Sequence, residues 1–418
     1  TMSIEWYGKN INMKILLLTQ WFDPEPTFKG LAFAKELTKQ GHEVEVLTGF
    51  PNYPQGKLYD GYKLKLFQKE NIEGISVLRV PLYASHDNSA FKRVLNYASF
   101  AVSATLYGIF LTKKADVIYA YHPPLTVDMA ALLIKLFRRI PIVLDIQDMW
   151  PDTLKATGMI GNEQLINIVD ILCKVVYRYA DHIVVLSPGF KQLLEKRNVA
   201  ASKISVIYNW CDESSLNLVS EISAENQQIL DNRFNVVFAG NMGKAQSLDT
   251  VIEVAKQLKN ESKIQFVFVG QGTETQRLKQ ICKDSQIDNV KFIPQMPMQK
   301  VGAILRKADV LLVYLRNDPL FEITIPSKTQ AYMAIGKPII MGVSGDASNL
   351  MKEADCGVVV IPENSESLKT GILELYHLEK NKAEKLANNA KIFYQNNLSI
   401  TSGVKKFIDI FKKVSQKC

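Results

Sequence analysis

Lys328 sits two residues beyond Pro326, where the stretch SKTQAYMAIG reads as the start of a helix that Gly336 and Pro338 stop. A cation in a first helical turn faces the positive end of the macrodipole, at a cost of about 0.3–1 kcal/mol. An anion at the same place removes that cost. A phosphate there would meet outward-pointing N–H groups and the Lys328 ammonium, with the Ser327 oxygen capping the helix, and would need no metal. From these residues alone, an ordinary solvated lysine explains the sequence equally well.

Two other groupings have types and spacing suited to chemistry. DIQDMWPD bunches Asp145, Gln147, Asp148, Trp150 and Asp152 at the carboxyl end of an apolar run, and His122 ends the run before it. In an open parallel sheet such positions line the ligand crevice. Asp152 can equally start the next helix, and another of these carboxylates can simply bond a loop backbone. In the second half, Gly240-Asn241-Met242-Gly243-Lys244 follows one apolar run and Gly270-Gln271-Gly272 the next. Glycines there let backbone approach a ligand closely, phosphate above all. The second loop is a weak dinucleotide fingerprint, because Thr275 stands where the third glycine belongs.

The elements that must position these groups alternate regularly. KILLL, LAFAKELTKQG and HEVEVLTGF read as strand, helix and strand with parallel pairing. DVIYAY, IPIVLDI, DHIVVL and KISVIY continue the first half; NVVFAG, KIQFVFVG and DVLLVYL belong to the second. The loop QWFDPEPTF and the segment GFPNYPQGKLY are candidate binding walls beyond strand ends. Val94 to Thr112 is marginal for a membrane span, which wants about 20 apolar residues, and reads as a helix buried on one face. Its basic flanks, Lys92, Arg93, Lys113 and Lys114, suit a surface resting on anionic lipid. The polar stretch 212–232 reads as a linker.

With 418 residues, 47% hydrophobic and 22% charged, the chain is long enough for two globular cores. A net charge of +8 favours anionic partners. There is no zinc-finger spacing, RNP-like motif or long basic run, so nucleic acid is the weakest of these. Five scattered cysteines without a C-x-x-C pair read as reduced thiols. Walker A, H-E-x-x-H and Asp-x-Asp patterns are absent, the last removing an obvious carboxylate pair for a metal-bound diphosphate. No signal peptide pattern is expected, and residues 1–12 read as an extension or tag.

The segments GFPNYPQGKLY, DIQDMWPD, VLSPGF, VIYNW, AGNMGKAQSLDTVIEVA, IPSKTQAYMAIGKPII and CGVVVIP, in this order, resemble retaining glycosyltransferases of the GT-B type, family 4. DIQDMWPD, GNMGKAQ and PSKTQAYMAIGKP are similar to a bacterial branch building O-antigen or capsule, including N-acetyl-L-fucosamine transferases. The resemblance implies an α/β fold of two Rossmann-like domains with parallel sheets facing across a cleft. It places an acceptor domain at 13–211, a linker at 212–232, a nucleotide-sugar domain at 233–395 and a C-terminal helix, 396–418, crossing back to the first domain. It further implies a UDP-sugar donor, metal-independent transfer without a cofactor, and a lipid-linked acceptor of the undecaprenyl-diphosphate type. The location would be cytoplasmic, peripheral on the inner membrane face. A UDP-N-acetylglucosamine 2-epimerase-like enzyme and a non-catalytic member of a polysaccharide assembly complex are the competing readings.

Carried over by position, the donor would meet Gly240, Asn241, Met242, Gly243, Lys244, Gln246, Gly270, Gln147, Glu322, Ile325, Pro326, Ser327, Lys328 and Gln330. The acceptor would meet Lys29, Tyr53, His122 and Trp150, with Asp148, Asp145 and Lys328 the groups nearest the chemistry. The family's diphosphate-binding Arg and Lys are replaced by Asn241 and Gln246, with Lys244 and Lys328 as substitutes. Its E-x7-E motif loses the second carboxylate, at Gln330 or Ala331. A family histidine serving the sugar's 6-hydroxyl falls at Gln147, which suits a 6-deoxy donor.

Overall fold

The computed structural model describes residues 12–85, 90–156, 162–218 and 221–416. Apart from residue 12, the expected extension lies outside these residues, as does Cys418. The chain gathers into two compact units. One takes in residues up to Leu186, Phe190–Ile207 and the chain from Val404 on; the other takes in Ser187–Gly189 and Tyr208–Gly403.

The first unit is built on eight strands: β1 (Lys14–Leu18), β2 (Glu43–Gly49), β3 (Gln68–Ile72), β4 (Ile75–Val80), β5 (Val117–His122), β6 (Ile142–Ile146), β7 (His182–Val185) and β8 (Ile204–Val206). They lie in the order β3-β4-β2-β1-β5-β6-β7-β8. All pairs are parallel except β3 with β4, a hairpin closed by Glu73 and Gly74, both at positive φ as a two-residue turn demands. Helices cover both faces of a parallel sheet, so its central strands are continuous apolar runs, and β5 and β6 are buried throughout. The order reverses at β1, between β2 and β5. Loops after β1 and β5 therefore diverge and open a crevice at the strands' carboxyl ends. The register Tyr121 to Asp145 and His122 to Ile146 brings the ends of β5 and β6 level there.

Helix Ala90–Phe110 packs on β2 and β4, and among the described residues no helix is long and apolar enough to cross a membrane. Its inner stripe is Asn96, Phe100, Ala104 and Gly108. Asn96 is satisfied inside, accepting from Gln20 at 2.6 Å and donating to the Tyr83 carbonyl at 2.7 Å. From Val404 the final helix belongs to the first unit: Val404, Phe407, Ile408, Phe411 and Val414 are buried at helical spacing. Phe407 meets the rings of Phe33 and Tyr119 at 5.3 and 5.4 Å.

The second unit has β9 (Phe234–Ala239), β10 (Ile264–Val269), β11 (Val290–Ile293), β12 (Val310–Tyr314), β13 (Ile339–Gly342) and β14 (Gly357–Val359), all parallel in the order β11-β10-β9-β12-β13-β14. Here the order reverses between β9 and β12. The Gly240 loop leaves β9 and the segment carrying Lys328 follows β12, so both face that switch point. The stretch 212–232, expected as a linker, carries helices Glu213–Asn217 and Ala224–Leu230, and Leu216 and Leu230 are buried in the second unit's core. Its polar residues face outward, which is what hid the helices from the composition.

Candidate functional site

Helix Ser327–Ile335 begins at Pro326 and ends at Gly336, whose φ of 73° is the left-handed stop. No side chain caps its start: Ser327 is the first helical residue and not the cap expected. Lys328 turns off this first turn and lays its ammonium 3.7 Å from the centre of the Phe238 ring, with no hydrogen-bond partner. The stem is partly exposed, while Nζ is shielded. Burial pulls its pKa down to about 7. A Cβ built on Gly240, at φ 137°, would come 3.5 Å from Nζ, so the ammonium lies directly against the glycine loop. A Cβ on Gly270 would fall 2.2 Å from the Gly240 carbonyl oxygen, so only glycine allows these two loops to touch.

The loop's own N–H groups are largely engaged. Gly240 donates to Val269 O at 2.9 Å, Met242 to Gln271 O at 3.1 Å, and Gly243 to Gln246 Oε1 at 2.9 Å. Gln246 thus braces the loop, and the Met242 side chain is in the core. Asn241 and Lys244 are exposed.

In the first unit, Lys29 and Asp145 are fully buried with Nζ 2.5 Å from Oδ2. Tyr119 donates to the same oxygen at 2.6 Å, and Gln147 donates to Oδ1 at 2.6 Å. Lys29 also lies 5.1 Å from the Phe407 ring, under the final helix. Beside this cluster, His122 is fully buried with Nδ1 2.6 Å from Asp128 Oδ2, while Nε2 has no partner. Burial pushes the imidazole down, but Asp128, then Asp148 and Asp145, outweigh it and hold it above its ordinary value. Asp148 is half-buried, and burial raises its carboxyl against the opposing pull of His122. Trp150 stands edge-on to His122 at 5.6 Å.

The loop walls are tied by Glu25. Its Oε1 accepts from the N–H groups of Asn52 and Tyr53 at 2.7 and 2.8 Å, and Oε2 from Phe22 at 3.2 Å. Burial nevertheless pushes this carboxyl up to about 7. Tyr53 then stacks at 4.7 Å on Trp21, which meets Tyr97 at 6.4 Å. Among the described residues no group of three or more His, Cys, Asp or Glu is placed to hold a metal ion.

Each half of the chain matches a known family description: residues 31–210 "Glycosyl transferase 4-like domain" and residues 219–393 "Glycosyl transferases group 1". The chain is a glycosyltransferase of the GT-B type. Among its relatives is the putative colanic acid biosynthesis glycosyl transferase WcaI of Escherichia coli (strain K12), 28% identical over 88% of this chain and 93% of the relative. Another is the probable glycosyltransferase WbjE of Pseudomonas aeruginosa, 25% identical over 66% of this chain and 70% of that protein. The fold is shared with Anabaena Alr3699/HepE, solved with UDP and glucose: TM-score 0.66, 16% identity, 96% of this chain and 100% of that one. It is shared as well with sucrose-phosphate synthase of Thermosynechococcus elongatus, TM-score 0.67 at 15% identity over 97% of this chain and 100% of that one.

Several residues expected at this glycosyltransferase's site serve to build it. Lys29 and Asp145 satisfy each other, because a fully buried charge is stable only when paired, and neither is free for an acceptor or a proton. Gln330 and Ile325 are buried; with its amide nitrogen facing them, Gln330 donates to the carbonyls of Pro326 and Ser327 at 3.0 Å and braces the first turn instead of facing a ribose. Gln246 and Met242 hold the loop, and Glu322 is exposed at the end of helix Pro319–Glu322. What remains unpaired is the shielded Lys328 ammonium against Gly240 in one unit; in the other, Asp148 and Trp150 lie half-buried beside His122. Sequence reasoning missed Asp128, Tyr119, Glu25 and Tyr97. Asp128 lies six residues past His122 on helix Leu125–Arg138, a lone acid on an apolar face, and that was the available signal.

Proposed function

We propose that this glycosyltransferase moves a sugar, with retention of anomeric configuration, from a UDP-sugar to a lipid-linked saccharide at the inner face of the cell membrane. The donor sugar in this reading is an N-acetylated amino sugar such as N-acetyl-L-fucosamine, and the product an O-antigen or capsule intermediate. The observation that carries it is the shielded, partnerless Lys328 ammonium against the Gly240 loop. A buried cation without a counterion calls for an anion, and a leaving diphosphate supplies one. UDP in the HepE complexes and the polysaccharide role in the name WcaI support the choice of donor and pathway class.

In the transfer the acceptor oxygen bonds to the anomeric carbon as the bond from that carbon to the phosphate oxygen breaks. On front-face attack the leaving diphosphate takes the acceptor proton. Negative charge grows on that diphosphate, so a preorganised cation favours the transition state over the ground state, a group of this kind being worth about 2.7–4 kcal/mol. Lys328 supplies the charge without a metal. Gln147 in place of the family histidine fits a 6-deoxy sugar, and equal turnover of a 6-hydroxylated analogue would count against that part.

The test is a thermal-shift panel of UDP, GDP, dTDP and CMP with their sugar conjugates, without added metal. A ligand at 100 times its dissociation constant adds about 2.7 kcal/mol of stability. UDP and one UDP-sugar are expected to stabilise; no shift with any nucleotide would move the reading to a non-catalytic assembly protein, and conversion of the sugar nucleotide without acceptor would move it to an epimerase.

A further inference from the structure

The large apolar side chains that the first unit leaves exposed are concentrated on one set of neighbouring helices. On helix Ala90–Phe110 the outward stripe at every fourth position is Val94, Ala98, Val102, Leu106 and Phe110, with Phe110 77% exposed. Helix Leu125–Arg138 packs closely against it, as Gly108 beneath Ile134 shows, and exposes Leu133, Leu136 and Phe137, the last two at 73% and 68%. Helix Glu163–Tyr179 also packs against Leu125–Arg138 and exposes Leu165, Ile168, Ile171, Val175 and Tyr179. The stretch Lys63-Leu64-Lys65-Leu66-Phe67 is exposed throughout and joins this face, its Phe67 ring lying 5.9 Å from Tyr107. Single exposed apolar residues are ordinary, but stripes aligned on three packed helices are not.

The charges around the face have one dominant sign. Lys63, Lys65, Lys92, Lys113, Lys114, Arg139, Lys174 and Arg178 are exposed at its margins. The only carboxylates on the three helices outside the core are Glu163 and Asp170, and Asp170 is paired with Lys174 at 2.6 Å. We infer that this face lies on an anionic lipid bilayer, with the apolar stripes at the acyl boundary and the basic rim among the headgroups. A protein partner of stated apolar shape would not require the surrounding lysines, whereas an anionic bilayer uses both. Leu133, Leu136 and Phe137 lie in the last turns of their helix, toward the strands' amino ends, while the start of helix Ala90–Phe110 reaches the crevice side, where Tyr97 beside exposed Val94 and Ala98 meets Trp21 at 6.4 Å. The purpose given to the contact rests on the lipid-linked acceptor proposed above; the contact itself does not.

The test is sedimentation of the full chain with vesicles of phosphatidylcholine alone or mixed with phosphatidylglycerol, at low and high salt, without donor or acceptor. The wild type is expected to bind the mixed vesicles and to weaken as salt rises. Neutralising Lys63, Lys65, Lys113 and Lys114 to Ser should weaken low-salt binding about fivefold per lysine. Leu66→Ser, Phe110→Ser and Phe137→Ser together should weaken it at every salt concentration, by about tenfold or more per residue. These side chains are exposed, so unchanged melting curves check that the variants fold. Equal sedimentation of wild type and the apolar variant overturns the inference. So does a concentration-dependent dimer in ultracentrifugation that the apolar variant abolishes, which would assign the face to a second copy. The nucleotide thermal shift is read separately on the same proteins, so failure of the enzyme reading would leave the vesicle result standing.

Discussion

Replacing Lys328 by Met should make the ligand-free protein more stable while removing its hold on a diphosphate. Nζ is shielded and partnerless, and burial lowers its pKa to about 7. That depression from the ordinary lysine value corresponds to about 5 kcal/mol of cost to the folded state at pH 6. The Phe238 ring 3.7 Å away returns part of it, about 1–2 kcal/mol for a desolvated cation over an aromatic face. Lys328→Met, which keeps the volume and drops the charge, is therefore expected to gain about 3 kcal/mol at pH 6 in urea unfolding followed by circular dichroism. The folded-state pKa lies below the unfolded one, so the folded state binds fewer protons and the cost eases as pH rises from about 7 toward the unfolded lysine value. By pH 9 the amine is neutral in the folded state, its ring contact returns nothing, and the advantage of the Met variant should have shrunk to about 2 kcal/mol on its way to zero above the unfolded lysine value. In calorimetry at pH 8, UDP binding to the wild type should take up close to one proton as the diphosphate restores the charge, and Lys328→Met should lose both the binding and the uptake. A Met variant less stable than wild type at pH 6, or an advantage that does not change with pH, would refute the reasoning.

Three further outcomes follow from the first unit. Asp145→Leu or Lys29→Met alone should cost about 3–5 kcal/mol by leaving a buried charge unpaired, while the two together should be far milder than the sum; additive costs in the double-mutant cycle would show the two do not act as a pair. Glu25 has its folded-state pKa raised to about 7, so it destabilises the fold as pH climbs from its unfolded value through that point; Glu25→Gln should flatten the decline between about pH 4.5 and 7, and an unchanged pH profile of the urea midpoint would contradict the burial argument. Asp148→Asn should lower transfer to the acceptor by about 100-fold or more while leaving the UDP thermal shift intact, and wild-type turnover would remove Asp148 from the mechanism.

The alternation of strands and helices was legible along the chain because parallel strands buried on both faces are unbroken apolar runs, as in KILLL, IPIVLDI and KIQFVFV. The glycine loops and the helix entrance at Lys328 were legible for a related reason: a glycine at positive φ and a cation at the wrong end of a dipole are local facts. The edge hairpin β3–β4 was not, since the edge strand Gln68–Ile72 reads QKENI, almost wholly polar, and lacks that run. Nor were the small helices of 212–232, each held by a single buried leucine in a polar stretch.

The sequence by itself determined which residues could carry charge at each strand end, and only the tertiary structure decided which of them remain free to use it. Lys29 lies 116 positions from Asp145, and no spacing rule connects them; the neighbouring of β1, β5 and β6 brings the two together and satisfies both. Charge type alone made them look functional in the sequence, and their pairing makes them structural in the fold. Lys328 goes the other way. Nothing beside it in the chain tells whether its ammonium is solvated, and it is the switch between β9 and β12 that sets it against Gly240 and Phe238 with no counterion. Burial and pairing are sums over neighbours distant in sequence, so charge type is written locally and its availability is not.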